Sequence, residues 1–149
     1  MPCALLALLL AASPASADKQ SWGFLESGAE VFLVYGVPES EAITLSFICE
    51  PKKNKIDIVT TVLPSRVKVG QAGIVKLLNG SSSLEFKGKV GRDNEESGEH
   101  FSALTTIDPS LFDLLEKGTS LRIEAMGAHD SVPLTRIKGP LAQMRKACR

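Results

Sequence analysis

Hydrophobic and polar residues alternate along much of this chain with the two-residue period of a half-buried β-strand. Across Ser83–Val90, apolar residues or glycine occupy every second position, and charged side chains occupy most positions between them. The same alternation runs through Ile43–Cys49, with Ile48 as the exception on the polar face, and through Leu121–Ala125. These three segments are predicted strands with one face toward a core.

Other segments complete the predicted sheet. Val31–Val37 is apolar on both faces, a pattern typical of a central strand. Further strands are predicted over Ile56–Leu63, Gly73–Leu78, Phe101–Ile107 and Val132–Ile137. About eight strands at this spacing predict one all-β domain, either an antiparallel β-sandwich or a small barrel.

Turn residues separate these strands. Asn79 and Gly80 tolerate positive φ and precede a serine run, so they predict a hairpin with a somewhat longer loop. Further turns are predicted over Pro38–Glu41, Pro51–Lys55 and Gly127–Ser131. Lys52, Lys53 and Lys55 are interpreted as part of a solvated turn.

Two short helices interrupt the strands. Asp108 is a good N-cap and Pro109 suits the first helical position, which predicts a helix over about Pro109–Lys117. A C-terminal helix is predicted over about Pro140–Cys148, because apolar residues recur along one stripe of it.

The N-terminus predicts export. Nine apolar residues, Ala4–Ala12, precede Pro14 and the small-residue triplet Ala15–Ala17, as in a cleavable signal peptide over residues 1–17. A transmembrane helix needs about 20 apolar residues, so no transmembrane anchor is expected here. Residues 18–149 are then a single exported domain, periplasmic or secreted.

Cys49 and Cys148 would both remain after cleavage. The periodicities place each on an inward face, one on a strand and one on the C-terminal helix. In an oxidising compartment, a disulfide between Cys49 and Cys148 is the preferred interpretation. Two separately buried thiols are the second reading. A catalytic thiol is the third, and it would need a nearby histidine and partial exposure.

Charge and motifs narrow the function classes. The chain has 17 basic and 17 acidic residues, so it lacks the basic excess of a nucleic-acid-binding protein, and no nucleic-acid partner is expected.

Asp93–Leu104 imitates a calcium-binding loop, but Leu104 stands at the position where a bidentate acidic ligand belongs. Ser81–Ser83 lacks the G-x-S-x-G elbow of a hydrolase. Asn79–Ser81 is formally a glycosylation sequon. No catalytic, metal-binding or cofactor-binding residue is therefore assigned, and no cofactor is expected.

Several residues carry a resemblance to known proteins. Trp22 shortly after the signal segment, Tyr35, Cys49 at the end of an apolar strand, and a closing Gly139, Ala142 and Cys148 resemble small uncharacterised exported proteins of proteobacteria. The closing part also resembles the invasion-associated locus B family. The resemblance implies a periplasmic β-rich domain with no established catalytic centre.

Three functions are compatible with these features. A non-catalytic exported protein that binds an unknown envelope or extracellular protein is the leading hypothesis. The alternative is a small-molecule carrier with an internal apolar cavity lined by Val34, Phe47 or Phe86. A hydrolytic enzyme is the third, and it requires His100 or His129 to meet an acid and a nucleophile.

Overall fold

The computed structural model of this protein describes residues 19–149, so the predicted signal segment over residues 1–17 lies outside the described part. Nine strands and two α-helices form the fold, with a 3-10 turn (Pro51–Lys53) between the third and fourth strands. The strands are β1 (Ser21–Ser27), β2 (Glu30–Gly36), β3 (Ile43–Glu50), β4 (Lys55–Thr60), β5 (Ala72–Asn79), β6 (Ser82–Gly91), β7 (His100–Thr106), β8 (Ser120–Ala125) and β9 (Ala128–Pro133). The helices are α1 (Pro109–Glu116) and α2 (Lys138–Ala147).

All nine strands belong to one antiparallel sheet with the order β1-β2-β3-β4-β7-β6-β5-β8-β9. The sheet is not closed, because β1 and β9 form its two edges. The first four strands follow one another as a meander, and β7 adds to the fourth. This arrangement confirms the prediction of an all-β antiparallel domain with two helices, one of them C-terminal.

The sheet folds into two layers at β6. That strand pairs with β5 from Ala72↔Lys89 to Asn79↔Ser82, but with β7 only from Lys89↔Ser102 to Gly91↔His100. Where the two strands diverge, a Cβ added to Gly88 would lie 2.1 Å from the carbonyl oxygen of Ser102. Glycine is therefore required there, since the β7 backbone passes directly over it.

The inner faces of the two layers enclose one hydrophobic core. It contains buried side chains from every strand and from both helices. The indole Nε1 of Trp22 on β1 donates a 2.7 Å hydrogen bond to the Pro133 carbonyl on β9, so the two sheet edges meet at this end. The fold is thus sandwich-like, with the helices on the core side.

The predicted disulfide holds the C-terminal helix in place. Cys49 and Cys148 are bonded, their Cα atoms are 6.2 Å apart, and both side chains are buried. Cys49 belongs to the core-facing side of β3, so α2 packs on the inner side of the sheet. No helix within residues 19–149 is long and apolar enough to cross a membrane.

The structure corrects several predicted boundaries. There are nine strands and not about eight, because Ser21–Ser27 forms an edge strand. The predicted strand Val132–Ile137 ends at Pro133, and the predicted turn Gly127–Ser131 lies mostly within β9. The loop between β5 and β6 is only two residues long, since Asn79 pairs directly with Ser82.

Candidate functional site on the outer face of the sheet

Five strands present large apolar side chains to the outside of the molecule. The strand register aligns one row across β1, β2, β3, β4 and β7, made of Leu25, Phe32, Ile48, Asp57 and Leu104. Leu25 is 54% exposed and Leu104 is 61% exposed, while Phe32 and Ile48 are partly exposed. Four of the five side chains in this row are therefore apolar and accessible to solvent.

A second row lies beside the first. It runs through Gly23, Val34, Ser46, Val59 and Ser102 on the same five strands. Val34 and Val59 are partly exposed and extend the apolar surface along the strands. We call the six apolar residues of the two rows the apolar face: Leu25, Phe32, Val34, Ile48, Val59 and Leu104.

The one charge within these rows is already hydrogen-bonded. Asp57 stands between Ile48 and Leu104, and the Ser102 hydroxyl lies 2.8 Å from both of its carboxylate oxygens. A hydrogen bond to a carboxylate satisfies part of its need for polar partners. Asp57 therefore interrupts the apolar face, and Ser102 provides its polar partner.

The outer side of the other layer has a different character. Lys76 pairs with Glu85 at 2.6 Å, and Arg122 pairs with Glu124 at 2.7 Å. The hydrogen bond that Lys76 donates to Glu85 raises the pKa of Lys76, and the hydrogen bond that Arg122 donates to Glu124 lowers the pKa of Glu124. Ile74 is the exposed large apolar side chain on these strands, at 44%. This layer presents an ordinary solvated surface, so the apolar face is confined to half of the molecule.

Acidic loops border one end of the apolar face. The loop between β2 and β3 carries Glu39 and Glu41, and the loop between β6 and β7 carries Asp93, Glu95, Glu96 and Glu99. Residues of both loops line a common cleft with Ser46 and Val59 at its floor. Arg92 pairs with Glu99, and the hydrogen bond lowers the pKa of Glu99. We call this border the acidic end.

Three lysines lie at the opposite end of the same strands. Lys52 and Lys53 belong to the 3-10 turn after β3, and Lys55 begins β4. Glu50 pairs with Lys53, and this hydrogen bond raises the pKa of Lys53, with Glu30 contributing more weakly. We call this border the lysine end. Glu30 and Glu50 lie at this end on the same outer side, so the lysine end carries little net charge, in contrast to the acidic end.

A groove of about 540 Å³ opens where the apolar face meets the acidic end. Its lining includes Gly23, Leu25, Val34, Ile43 and the loop residues Val37–Glu41. A Cβ added to Gly23 would meet only the Val34 Cγ2 atom, at 3.8 Å. The fold would therefore accept a side chain at position 23, and the groove stays open because Gly23 has none.

The residues considered for the cavity of a carrier do not all lie on one face of the sheet. Val34 belongs to the outer face, whereas Phe47 is buried in the core beside Leu33. Phe86 pairs with Val75 on the core side of the other layer. Val34 and Phe47 lie on opposite faces of the sheet, so they cannot line the same internal cavity.

The residues considered for catalysis and metal binding are distributed over separate strands. His100 begins β7, with its Nε2 atom 4.0 Å from a carboxylate oxygen of Asp93, and His129 lies on β9 opposite Glu124, not at a turn tip. The Asn94 side chain accepts hydrogen bonds from two following backbone amides, so the acidic segment forms a local turn. Within residues 19–149, no group of three or more His, Cys, Asp or Glu side chains is placed to hold a metal ion.

The sequon asparagine has a structural role. Asn79 Nδ2 donates hydrogen bonds to the carbonyl oxygens of Leu114, at 2.7 Å, and Lys117. These carbonyls belong to the last turn of α1 and the residue after it, where backbone acceptors have no partner within the helix. The amide nitrogen that glycosylation would modify is therefore engaged in ending α1.

Sequence reasoning assigned no residue to the apolar face. Two signals for it were present: Val31–Val37 is apolar on both sides, and Ile48 breaks the alternation of its strand. The structure places β2 next to the sheet edge and not at the centre of a two-sided core. The second apolar side of β2 belongs to the apolar face on the outside of the sheet.

No protein-family model, no curated protein and no solved structure matches this chain. The resemblance to the invasion-associated locus B family stays a prediction.

Proposed function

We propose that this protein is a non-catalytic exported protein that acts by binding another protein of the envelope or extracellular space through its apolar face. The observation that carries the proposal is the aligned row of Leu25, Phe32, Ile48 and Leu104 on the outer surface. Soluble monomers rarely expose contiguous apolar patches larger than a few hundred Å², and the largest apolar patch of a monomer is often a binding site. The charged outer surface of the other layer shows that the fold itself does not require an apolar outside.

Export is supported by the disulfide. Cys49 and Cys148 are bonded across 99 residues of chain, and such bonds persist in oxidising compartments. This agrees with the predicted signal segment. The partner is therefore expected in the same compartment, outside the cytoplasm.

The non-catalytic part of the proposal is supported by the roles that polar residues already have. Asp57 accepts from Ser102, Asn79 ends α1, and Asp108 accepts a 2.9 Å hydrogen bond from the Ser110 amide at the start of α1. Each of these contacts stabilises the fold. These three polar residues therefore have structural roles, which supports a non-catalytic function.

Paired substitutions test the binding face. Leu25→Glu together with Leu104→Glu places two charges on the apolar face, and both positions are exposed, so folding should be retained. Ile74→Glu is the matched control on the other layer. The exported proteins are isolated under mild conditions, and the proteins that accompany them are identified. Loss of the accompanying protein from the double variant alone supports the proposal. Equal recovery with all three proteins refutes it.

The groove beside Gly23 favours a second candidate, a carrier of a small apolar molecule. Its volume of about 540 Å³ lies within the range of small-molecule sites. Gly23→Leu should fill the groove, since the added Cβ meets no backbone. If the protein is a carrier, extraction of the wild-type protein yields a bound apolar compound that Gly23→Leu lacks. Absence of any such compound from the wild-type protein rejects this candidate.

A further inference from the structure

We infer that the cleft between the two acidic loops binds the ammonium or guanidinium group of a lysine or arginine side chain that belongs to the protein docked on the apolar face. This inference rests on the proposed binding function of that face. It follows from two independent features of the cleft: a buried hydroxyl group without a hydrogen-bond partner, and a lining whose ionisable side chains, apart from His100, are all acidic.

Ser46 provides the first feature. It is the one buried residue of the second row, with 6% of its surface exposed, whereas Val34 and Val59 on the two adjacent strands are partly exposed. Its position in the row places its side chain on the outer face of the sheet, where it lines the cleft. The two acidic loops therefore cover Ser46 and leave its side chain facing the cleft.

The Ser46 hydroxyl differs from the threonine hydroxyls beside it. Thr60 and Thr61 also line the cleft, and each of their hydroxyls donates to a backbone carbonyl of β3. The Ser46 hydroxyl makes no hydrogen bond within residues 19–149. It is accessible from the cleft, because the one fully enclosed side-chain nitrogen or oxygen without a partner in these residues is Arg145 Nε. A hydroxyl oxygen can accept hydrogen bonds, so a bound group with N–H donors would pair with it.

The charge of the lining selects a cation. Four acidic residues line the cleft without any lysine or arginine: Glu41, Asp93, Glu96 and Glu99. Glu99 pairs with Arg92 and Asp93 lies 4.0 Å from His100, whereas the other two have no ion-pair partner within residues 19–149. Other basic residues of the neighbouring segments lie outside the lining: Lys19, Arg66, Lys68 and Lys89. Even with Arg92 counted, the cleft has an excess of negative charge, which attracts a cation.

The rest of the lining favours a basic side chain as that cation. In the described part of the chain, acidic side chains do not gather in groups of three that could hold a metal ion, which favours an organic cation. The cleft has a volume of about 630 Å³, and Ile43 and Val59 give it apolar surface. Lysine and arginine combine an alkyl stem that packs on such surface with a head that donates several hydrogen bonds. Val59 also belongs to the apolar face, so a protein docked there extends directly into the cleft.

Two short peptides test the inference on the oxidised exported protein labelled with nitrogen-15. One is a blocked pentapeptide of alternating leucine and lysine, and the other has glutamine in place of lysine. Amide chemical shifts report both the dissociation constant and the place of binding. We expect the lysine peptide to shift the amides of Ser46 and Glu41 most strongly and to bind about tenfold more tightly than the glutamine peptide.

Variants of the cleft locate the binding. Glu41→Gln with Glu96→Gln should weaken binding of the lysine peptide by about tenfold, because two ion pairs are lost. Ser46→Ala should weaken it by about fivefold, because the hydroxyl acceptor is lost. Glu26→Gln with Asp130→Asn is the matched control: it changes the net charge equally, and both positions are exposed and lie outside the cleft lining. This control should bind like the wild type, and circular dichroism confirms that each variant is folded.

The outcomes separate this inference from the proposed function. Binding that prefers lysine and depends on the cleft residues but not on the control positions supports the inference. Equal binding of the two peptides, or equal weakening by the cleft and control variants, overturns it. Spermidine is titrated in the same way, and tighter binding of spermidine than of the lysine peptide overturns the assignment to a protein side chain. If neither peptide binds while Leu25→Glu with Leu104→Glu still removes the accompanying protein, the proposed function stands and only the inference about the cleft fails.

Discussion

Trp22 and Pro133 are joined by a 2.7 Å hydrogen bond from the indole Nε1 to the backbone carbonyl, across 111 residues of sequence. Trp22 also packs against Tyr35, its direct neighbour on β2, with ring centroids 5.3 Å apart. One side chain therefore connects the two edges of the sheet and anchors β1 beneath the apolar face.

Trp22→Phe should lower the free energy of unfolding by about 1–2 kcal/mol, because the aromatic packing largely remains while the Pro133 carbonyl loses its donor. Chemical denaturation followed by circular dichroism measures this change. Phe24→Leu, which alters another aromatic residue of β1 without touching the bond, is the control. A Trp22→Phe variant as stable as the wild type would show that the two edges are held together by other contacts.

The disulfide should stabilise the fold without taking part in binding. Cys49→Ala with Cys148→Ala is expected to lower the free energy of unfolding by about 4 kcal/mol, since the bond restricts a long loop of the unfolded chain. Thiol titration of the unreduced, denatured protein should find no free thiol. Two free thiols would reject the bond. Loss of binding from a double variant shown to be folded would indicate a role for the thiols in function.

Glycine positions should differ sharply in their tolerance of alanine. Gly88→Ala places a Cβ 2.1 Å from the Ser102 carbonyl oxygen, so we expect a loss of about 3 kcal/mol as β6 and β7 move apart. Gly23→Ala, the matched control, should change the free energy of unfolding by less than about 1 kcal/mol. Denaturation midpoints of the two variants compare them directly. Equal effects would contradict the close approach of β7 to Gly88.

Asp108 gives α1 a pH-dependent cap. Its hydrogen bond from the Ser110 amide lowers the pKa of the carboxyl below its usual value. Because the folded pKa is the lower one, the stabilisation is complete above a pH of about 4 and is lost as pH falls through the folded pKa.

Asp108→Ala should therefore cost about 1 kcal/mol at neutral pH, and its difference from the wild type should shrink as the solution is acidified. Asp108→Asn retains an acceptor that does not titrate. Its advantage over alanine should stay constant across the same pH series. A wild-type advantage that is unchanged in acid would contradict the assigned cap.

The strands that were predicted well are those with one clear polar face. Ser83–Val90 and Leu121–Ala125 carry charged outer residues, so their alternation is visible in the sequence. β1 was missed because Phe24 and Leu25 are adjacent and point to opposite sides, which hides the period of two. The turn at Met126 and Gly127 was misplaced because both residues have positive φ, and methionine gives no signal for that conformation.

The apolar face could not be located from sequence because it depends on sheet order. Leu25, Ile48 and Leu104 are far apart in the chain, and only the register across β1, β3 and β7 aligns them. An apolar strand such as Val31–Val37 is explained equally well by a two-sided core. Whether its second side is covered is decided by the position of β2 near the edge.

Site-specific photo-cross-linking in exporting cells tests the binding role of the apolar face most directly. A photoreactive amino acid replaces Leu104 on the apolar face and, in the control, Ile74 on the other layer. We predict a discrete cross-linked protein adduct from position 104, which is absent from position 74 and abolished by Leu25→Glu. No adduct from position 104, or equal adducts from both positions, would contradict the account.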